Sequence, residues 1–177
     1  QMLLTHKITI LSMVPTILKF VEKYLTEINL PGLKYSFFSG DTLYHNLASK
    51  WSHTAPNCKI VNCYGTTETT IVCTHYLFDE KQSAEESVNG VVPIGKPFPT
   101  MDVLLVDENN NPSEKGELCF SGPQVIPSYL GGTTGHKFFT HNNQLYYKPG
   151  DVAMYNSKGN LIFYGRKDSQ VKINGYR

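Results

Sequence analysis

The chain has 177 residues, 18% of which are charged, and its 16 Lys and Arg against 15 Asp and Glu give a formal net charge of +1 at pH 7. This balance, without a long run of like charges, argues against electrostatic capture of nucleic acid or of a membrane surface. No apolar stretch has the length of a membrane span, and the first residues do not form a charged and then apolar signal segment.

The first half of the chain alternates strand-like and helix-like patterns. Residues 8–14 are apolar and partly β-branched, which predicts a buried strand, and residues 33–38 and 59–61 predict two more. A helix that opens at Pro15 follows the first strand. Its predicted apolar face consists of Ile17, Leu18, Val21, Leu25 and Ile28. The predicted buried stripe of a second helix consists of Tyr44, Leu47, Ala48 and Trp51.

This order of strands and helices predicts a parallel sheet with helices on its faces. Ligands bind at the carboxyl ends of the strands in such sheets. Those ends are Ser12, residues 39–41 and the segment that begins at Asn62. We therefore expect separate turns to point at one crevice.

The second half of the chain has a different residue pattern. The acidic and polar residues 79–86 are predicted to be a solvated loop, and after about residue 88 glycine, proline and short alternating runs replace the helical periodicity. The predicted strands are residues 102–106, 116–121, 152–156 and 160–164. Ser157-Lys158-Gly159 is a hairpin signal between the last two. The predicted fold class is α/β: a partial parallel sheet with flanking helices, followed by a small antiparallel β-barrel-like subdomain.

The cysteines and histidines do not suggest a metal centre. Cys58, Cys63, Cys73 and Cys119 contain no Cys-x-x-Cys pair, and no two of the six histidines have ligand spacing. This pattern argues against zinc and favours buried, reduced thiols in a cytoplasmic protein. Nothing marks a base beside any of the cysteines, so nucleophilic catalysis by a thiol is the weaker interpretation.

Residues 62–70 carry the first functional signal, directly after the third predicted strand. The ring of Tyr64 offers a stacking face, and Gly65 lets backbone approach a ligand closely. Two threonine hydroxyls can bond phosphate oxygens, and the carboxylate of Glu68 can hold Mg²⁺. A threonine-rich turn without a ligand remains the alternative at this point.

Two downstream residues suit a nucleotide as well. Asp151 follows a Pro-Gly turn, and its two acceptor oxygens can receive both hydroxyls of a ribose. Arg166 follows a glycine and can supply several fixed donors to ribose or phosphate. Each signal is weak when taken singly.

Four motifs in this order resemble those of the adenylate-forming superfamily, which includes acyl-CoA synthetases, luciferases and peptide-synthetase adenylation domains. They are residues 62–70, residues 115–123 leading to Tyr129-Leu130, residues 146–151, and residues 164–177. The resemblance extends from Ile8 to Arg177. The last motif is most similar to amino-acid-activating members, namely peptide-synthetase adenylation domains and D-alanine–carrier protein ligases.

The resemblance implies a two-step reaction. A carboxylate attacks the α-phosphate of ATP, giving an acyl-adenylate and pyrophosphate, and the phosphopantetheine thiol of a carrier protein then takes the acyl group. The implied cofactors are ATP and Mg²⁺, and the implied partners are an amino acid and the carrier protein, with no nucleic acid and no membrane. Because the substrate carboxylate is already ionised, catalysis would rest on positioning and charge neutralisation.

The resemblance also assigns residues. Tyr64 would stack on adenine, Thr67 and Glu68 would be catalytic at the phosphate, and Glu68 would ligate Mg²⁺. The implied nucleotide-binding residues are Ser39, Gly40, Asp41, Asn62, Cys63, Tyr64, Gly65, Thr66, Thr67, Asp151, Phe163, Tyr164, Gly165 and Arg166. The implied substrate pocket consists of Ser12, Phe37, Ser39, Cys63, Ile71 and Val72. These neighbours suggest a small or modestly polar acid, although Phe37 and Ile71 could instead only pack strand ends.

The chain departs from the family pattern at two positions, since Thr66 stands where a proline is usual and Asp41 where a glutamate is usual. Residues 131–137 resemble the phosphate-gripping loop but follow the Gly-Glu-Leu motif, so we predict a surface loop there. The resemblance places the true phosphate loop before Gln1 and the catalytic lysine beyond Arg177. We therefore expect these 177 residues alone to be inactive.

The implied organisation has three parts: an α/β part of the adenylation core over residues 1–88, the small β subdomain over 89–164, and a hinge segment over 165–177. Asp168 would be the hinge before an absent C-terminal domain. Two alternatives stay open. One is a fatty-acyl or aryl-acid ligase of the same superfamily, and the other is a degenerate, non-catalytic scaffold that binds nucleotide or carrier protein.

Overall fold

The computed structural model describes residues 2–132 and 135–167, which form two compact units. The first unit contains residues 2–63 and 76–93, and the second contains residues 64–75, 94–132 and 135–167. The boundaries predicted at residues 88 and 164 stay a prediction. Asp168, the predicted hinge, lies outside the described residues.

The first unit is built from strands and helices in alternation. Its elements are α1 (Met2–Thr5), β1 (Ile10–Met13), α2 (Thr16–Val21), β2 (Tyr35–Phe38), α3 (His45–Thr54), β3 (Lys59–Tyr64), β4 (Thr74–Leu77) and α4 (Glu80–Glu86), with β3 ending and β4 beginning in the second unit. β1 pairs in parallel with β2, and β2 pairs in parallel with β3, so that Ser12 lies opposite Phe37 and Phe38 opposite Asn62. The predicted parallel sheet with flanking helices is confirmed.

The core of this unit lies between α3 and the sheet. Leu47, Ala48 and Trp51 are buried as predicted, because positions three and four apart lie on one face of a helix. The indole Nε1 of Trp51 donates to Ser36 Oγ at 2.9 Å, which satisfies both groups inside the core. The prediction is wrong for Tyr44, which lies just before the helix, at its N-cap, and is only half-buried.

Three further sequence predictions in this unit are wrong. Strand β1 was predicted to be buried, but Ile10 is 60% exposed and Ser12 is exposed. The helix that follows Pro15 gives way to a 3-10 turn at Glu22–Tyr24. Ile17 and Ile28 are therefore 42% and 38% exposed, whereas Leu18 and Leu25 are buried. Ile17 is next to Leu18 in sequence, which rotates its side chain about 100° around the helix, and Ile28 lies beyond the last turn.

The acidic stretch at residues 79–86 is a helix and not a solvated loop. Asp79 caps α4, since its carboxylate accepts the backbone N–H groups of Lys81 at 3.1 Å and of Gln82 at 2.9 Å. Ser83 is buried on the inner face of this helix, where its hydroxyl donates to Tyr76 Oη at 3.2 Å. The capping signal was present in the sequence, but the stretch lacks an apolar periodicity.

The second unit is dominated by antiparallel strands. They are β5 (Lys96–Pro97), β6 (Asp102–Val106), β7 (Lys115–Ser121), β8 (Phe138–His141), β9 (Gln144–Tyr147), β10 (Asp151–Tyr155) and β11 (Leu161–Arg166). Five of them are hydrogen-bonded in the order β11-β10-β7-β9-β8, and β6 pairs with β7, whereas β5 pairs with β4 in the other sheet. Within the described residues the six strands other than β5 form an open sheet and not a closed barrel, so the antiparallel prediction is confirmed without its barrel-like closure.

Two short 3-10 turns complete this unit, at Thr67–Thr69 and Gly135–Lys137. Its buried core contains Tyr64, Cys73, Leu118, Phe120, Ala153 and Leu161. Among the described helices of the whole chain, none is both long and apolar enough to cross a membrane.

Candidate functional site

The turn that follows β3 is held by its own threonines. Thr66 caps the 3-10 turn, because its N–H donates to Thr69 Oγ1 at 2.8 Å while its own side chain receives the backbone N–H of Thr69. Thr66, Glu68 and Thr69 are buried, whereas Thr67 is exposed. Thr66 therefore replaces the expected proline with a cap, and the contact of the exposed Thr67 with a phosphate stays a prediction.

Tyr64, Asp151 and Arg166 meet within the second unit, at the end of β3, the start of β10 and the end of β11. The hydroxyl of Tyr64 donates to Asp151 Oδ2. Arg166 Nη1 donates to Asp151 Oδ1 at 2.7 Å, and its Nη2 donates to the carbonyl of Pro149 at 3.0 Å. The side chains of Asp151 and Arg166 are only 3% and 11% exposed, so this carboxylate is held by two donors in a largely dry environment.

Tyr64 keeps its proton in this arrangement. Burial raises the pKa of its hydroxyl well above the usual value, and the negative charge of Asp151 raises it further. The ring lies 5.8 Å from the ring of Phe120 and 6.5 Å from that of Phe163, centroid to centroid. Tyr64 is thus a fixed donor to Asp151, and its stacking on adenine stays a prediction.

Glu68 is a buried carboxylate with tyrosines around it. It is 9% exposed, and its Oε1 accepts the hydroxyl of Tyr129 at 3.1 Å. The pKa of the Tyr147 hydroxyl is raised, first by burial and then by the charge of Glu68 and by hydrogen bonding with Tyr129 and Glu68. Sequence reasoning assigned no role to these tyrosines, although both lie in motifs that carried the resemblance.

The donor set around Glu68 suits a cation that is shared with a phosphate. Mg²⁺ in proteins is usually held by one or two carboxylates together with substrate phosphates. No group of three His, Cys, Asp or Glu side chains that could hold a metal ion exists among the described residues. Glu68 is a single carboxylate, so the residues present fit Mg²⁺ only if a phosphate also holds it, and Mg²⁺ at Glu68 stays a prediction.

Removal of the Tyr129 hydroxyl is expected to destabilise the protein. Hydrogen bonds to charged groups contribute roughly 1.5–3 kcal/mol, so the Tyr129→Phe variant should unfold at a lower urea concentration than the parent. Tyr146→Phe is a matched control, because the Tyr146 hydroxyl makes no hydrogen bond to the described residues and its ring lies in the neighbouring hairpin. Equal unfolding midpoints in the two variants would show that Tyr129 does not support Glu68.

The predicted nucleotide-binding residues of the first unit are engaged within that unit. Asp41 Oδ2 accepts the hydroxyl of Thr16, and Oδ1 accepts the N–H of Thr42 at 2.8 Å. Gly40 has φ +87°, a conformation that glycine adopts without strain, and Ser39 precedes it. Asn62 Nδ2 donates to the carbonyls of residues 92 and 93 at 3.3 and 2.9 Å. Their contact with a nucleotide stays a prediction.

The predicted substrate-pocket residues fall in both units. Ser12, Phe37, Ser39 and Cys63 belong to the first unit, and Ile71 and Val72 belong to the second. Ser12 and Phe37 are register partners in the parallel pair of β1 and β2, and Ile71 is 74% exposed. The pocket that they would form together stays a prediction.

The last strand carries four more predicted nucleotide residues. Phe163 packs near Tyr64, and Tyr164 is 41% exposed with Lys115 Nζ 4.1 Å from its ring centroid. Gly165 has φ +133° opposite Val152, where the pairing of β10 with β11 shifts register. This irregularity precedes Arg166 at the end of the strand, opposite Asp151.

The cysteines are free thiols. Cys63, Cys73 and Cys119 are buried, and Cys58 is half-buried. Burial raises the pKa of Cys63 to about 11 and that of Cys73 to about 12. A thiol with a raised pKa is a poor nucleophile at neutral pH, so Cys63 and Cys73 do not suit nucleophilic catalysis.

Comparison with known proteins gives related folds and sequences. The model of the family "AMP-binding enzyme" matches residues 1–130. The chain is 32% identical over 186 residues to a linear gramicidin synthase of Brevibacillus parabrevis, covering 100% of the chain and 4% of that protein. It is 31% identical over 162 residues to a D-alanine--D-alanyl carrier protein ligase of Streptococcus pneumoniae, covering 89% of the chain and 31% of that protein.

A solved structure shows the same architecture. The crystal structure of the Vibrio cholerae adenylation domain AlmE in complex with glycyl-adenosine-5'-phosphate superposes with a TM-score of 0.83 at 34% identity, covering 99% of the chain and 34% of that structure. The chain thus spans about a third of the length of this structure and of the D-alanine ligase.

Proposed function

The chain belongs to the AMP-binding enzyme family, and we propose that it supplies the nucleotide-binding part of an ATP-dependent ligase. That ligase would activate an amino acid as its adenylate and load it onto the phosphopantetheine thiol of a carrier protein. The similarity to the carrier protein ligases and to the adenylation domain supports this class of reaction. The free, reduced thiols of the chain agree with a cytoplasmic protein.

The observation that carries the proposal is the hydrogen-bonded group of Tyr64, Asp151 and Arg166. A carboxylate with two fixed donors still has lone pairs on both oxygens, and these can accept the two hydroxyls of a ribose. The donors hold the carboxylate in place before the nucleotide binds, which lowers the cost of ordering the site. Phe163 and the Tyr64 ring would provide the adjoining apolar surface for adenine.

The phosphate end of the site would be the Thr67–Glu68 turn. The exposed hydroxyl of Thr67 would donate to an α-phosphate oxygen, and Glu68 would hold Mg²⁺ on the phosphates. When bound, Mg²⁺ supplies positive charge that neutralises the charge on the phosphates. Thr66 would act indirectly, because its side chain is used to cap the turn. The site would work by positioning a substrate carboxylate that is already ionised.

The acid is proposed to be a small amino acid. Two kinds of relative point this way: ligases named for D-alanine, and an adenylation domain solved with glycyl-adenosine-5'-phosphate. The predicted lining by Ser12, Ser39 and Cys63 offers small and polar side chains. A bulky fatty acid would need a longer apolar channel than these residues suggest.

Acid-dependent exchange of pyrophosphate into ATP tests the proposal. We expect the full-length gene product to exchange pyrophosphate with one small amino acid among the twenty plus D-alanine, and not with fatty or aryl acids. Glu68→Gln should lower this rate at least tenfold, in line with loss of a charge-neutralising group, and residues 1–177 alone should show no exchange. Exchange driven by a fatty or aryl acid would overturn the amino-acid assignment. ATP binding without exchange for any acid would favour a non-catalytic scaffold.

A further inference from the structure

Residues 70 and 71 adopt a backbone conformation that their side chains disfavour. Thr70 has φ +55° and Ile71 has φ +72°, both in the left-handed region. A β-branched residue with positive φ is an outlier. The N–H of Val72 also donates to the carbonyl of Thr70 at 2.9 Å, which closes a three-residue turn centred on Ile71, and such a turn with positive φ is rare and strained.

Backbone strain of this kind persists only where the surroundings fix the conformation, and it is concentrated at functional sites. The turn itself makes two further bonds, from the N–H of Thr70 to the carbonyl of Thr67 at 3.2 Å and from the N–H of Ile71 to the carbonyl of Thr66 at 3.0 Å. Other bonds come from the segment that follows β7, residues 122–126, which we call the strap.

The strap bonds the strained turn on several sides. Gln124 Nε2 donates to the carbonyl of Val72 at 2.9 Å and lies 3.5 Å from the carbonyl of Thr69. The hydroxyl of Thr70 donates to the backbone carbonyl of Gln124 at 2.8 Å. The N–H of Ile126 donates to the carbonyl of Glu68 at 2.9 Å. Gln124 is therefore the strap residue whose side chain reaches across the turn.

We propose that Gln124 is a positioning residue that holds the strained turn and thereby sets the place of the Ile71 and Val72 side chains, and with them the selection of the acid. This inference rests on the proposed function, because Ile71 and Val72 are assigned to the acid pocket there. Gln124 touches neither reactant in this scheme and acts through the backbone of residues 69–72.

Two substitutions at Gln124 distinguish the loss of the amide donor from the loss of the whole side chain. Gln124→Glu keeps the length of the side chain and the backbone acceptor for Thr70, but a carboxylate cannot donate to the Val72 carbonyl. Gln124→Ala removes the side chain altogether. Gln144→Ala is the matched control, because it removes another glutamine amide donor of the second unit. Gln144 Nε2 donates to Asp102 Oδ2 at 2.7 Å, away from the turn.

Kinetics of the full-length gene product give the functional readout. In both Gln124 variants we expect the KM for the acid to rise about tenfold while the KM for ATP changes less than about twofold, because a small misplacement in a pocket is costly. Discrimination against the acid with one more methylene, which a pocket can set at about 10–200-fold, should fall about tenfold. Gln144→Ala should leave all three values unchanged. The proposal would be overturned if the KM for ATP rose as much as the KM for the acid. It would also be overturned if discrimination between the two acids did not change.

Hydrogen exchange gives a readout that does not depend on turnover. The amides of Ile71 and Val72 should exchange faster in Gln124→Ala and Gln124→Glu than in the parent or in Gln144→Ala, since opening of the turn releases both. Unchanged exchange of these two amides would show that Gln124 does not hold the turn. Absence of acid-dependent activity in the parent would instead contradict the proposed function, and the amide comparison would still decide the role of Gln124.

Discussion

Asp151→Ala is expected to remove ATP binding and to destabilise the protein strongly. The substitution leaves the guanidinium of Arg166, which is 11% exposed, and the hydroxyl of Tyr64 without their shared acceptor. Breaking one partner out of a buried ion pair costs roughly 3–5 kcal/mol, because the remaining charge stays in a low-dielectric environment. At about 2–4 °C per kcal/mol for a protein of this size, the thermal midpoint should fall by about 6–20 °C.

Calorimetric titration with ATP and thermal unfolding by circular dichroism measure the two effects. Asp102→Ala is the matched control: this aspartate also lies in the second sheet, but it is exposed and accepts only the amide of Gln144 among the described residues. Surface substitutions of this kind stay within about 0.5 kcal/mol. If Asp151→Ala unfolded at the temperature of Asp102→Ala and still bound ATP, the central role of this carboxylate would be wrong.

A double-mutant cycle isolates the bond between the tyrosine and the carboxylate. Tyr64→Phe removes the hydroxyl but keeps the ring, and Asp151→Asn keeps the shape of the acceptor but removes its charge. Residues in direct contact usually show coupling of about 0.5–3 kcal/mol. Because Tyr64 is protonated at all physiological pH values, this coupling should not change between pH 6 and pH 8.

Four strands of the second unit could be predicted from short apolar runs and from turn residues such as Ser157-Lys158-Gly159. β6, β7, β10 and β11 lie within two residues of their predicted bounds, whereas β8 and β9 were not predicted. The α4 helix was not predicted because it is short and polar. The cap at Asp79 and the buried face at Ser83 stabilise it, and neither gives an apolar periodicity. Periodicity over a longer window cannot detect such an element.

The site was predictable to the extent that its residues sit in ordered motifs. The turn after β3, the aspartate after Pro149-Gly150 and the arginine at the end of β11 were all recognised in that way. The contacts of Tyr129 with Glu68, 61 residues apart, and of Gln124 with residues 69–72 were not. Hydrogen bonds between distant segments depend on sheet pairing, and no local spacing in the sequence encodes them.

The structure gives Gly65 a role that the sequence did not show. The sequence assigned it a close approach to a ligand, which stays a prediction. In the structure its Cα faces backbone of the same turn: a Cβ added there would clash with the Ile71 carbonyl oxygen and would lie 2.7 Å from Val72 Cα. Its φ does not lie in the left-handed region, so the requirement for glycine is one of space.

Gly65→Ala is therefore expected to be strongly destabilising. The obstructing atoms belong to the backbone and cannot rotate away, so Gly65 and the Ile71–Val72 segment must move apart. Overpacking of this kind costs roughly 1–3 kcal/mol, which corresponds to a fall of about 2–12 °C in the thermal midpoint. Displacement of Ile71 and Val72 should also raise the KM for the acid. Gly65→Val should lower the thermal midpoint further and raise this KM further than Gly65→Ala.

Gly32→Ala provides the control for this prediction. Nothing lies within 4 Å of a Cβ added at Gly32, and its φ is not in the left-handed region. Alanine there should be neutral or stabilise the protein by about 0.4–1 kcal/mol, because it restricts the unfolded chain. Thermal unfolding of the two variants side by side measures the contrast. A Gly65→Ala variant as stable as Gly32→Ala would mean that the turn does not close on Gly65 as described, and the strained geometry at Ile71 would lose its support.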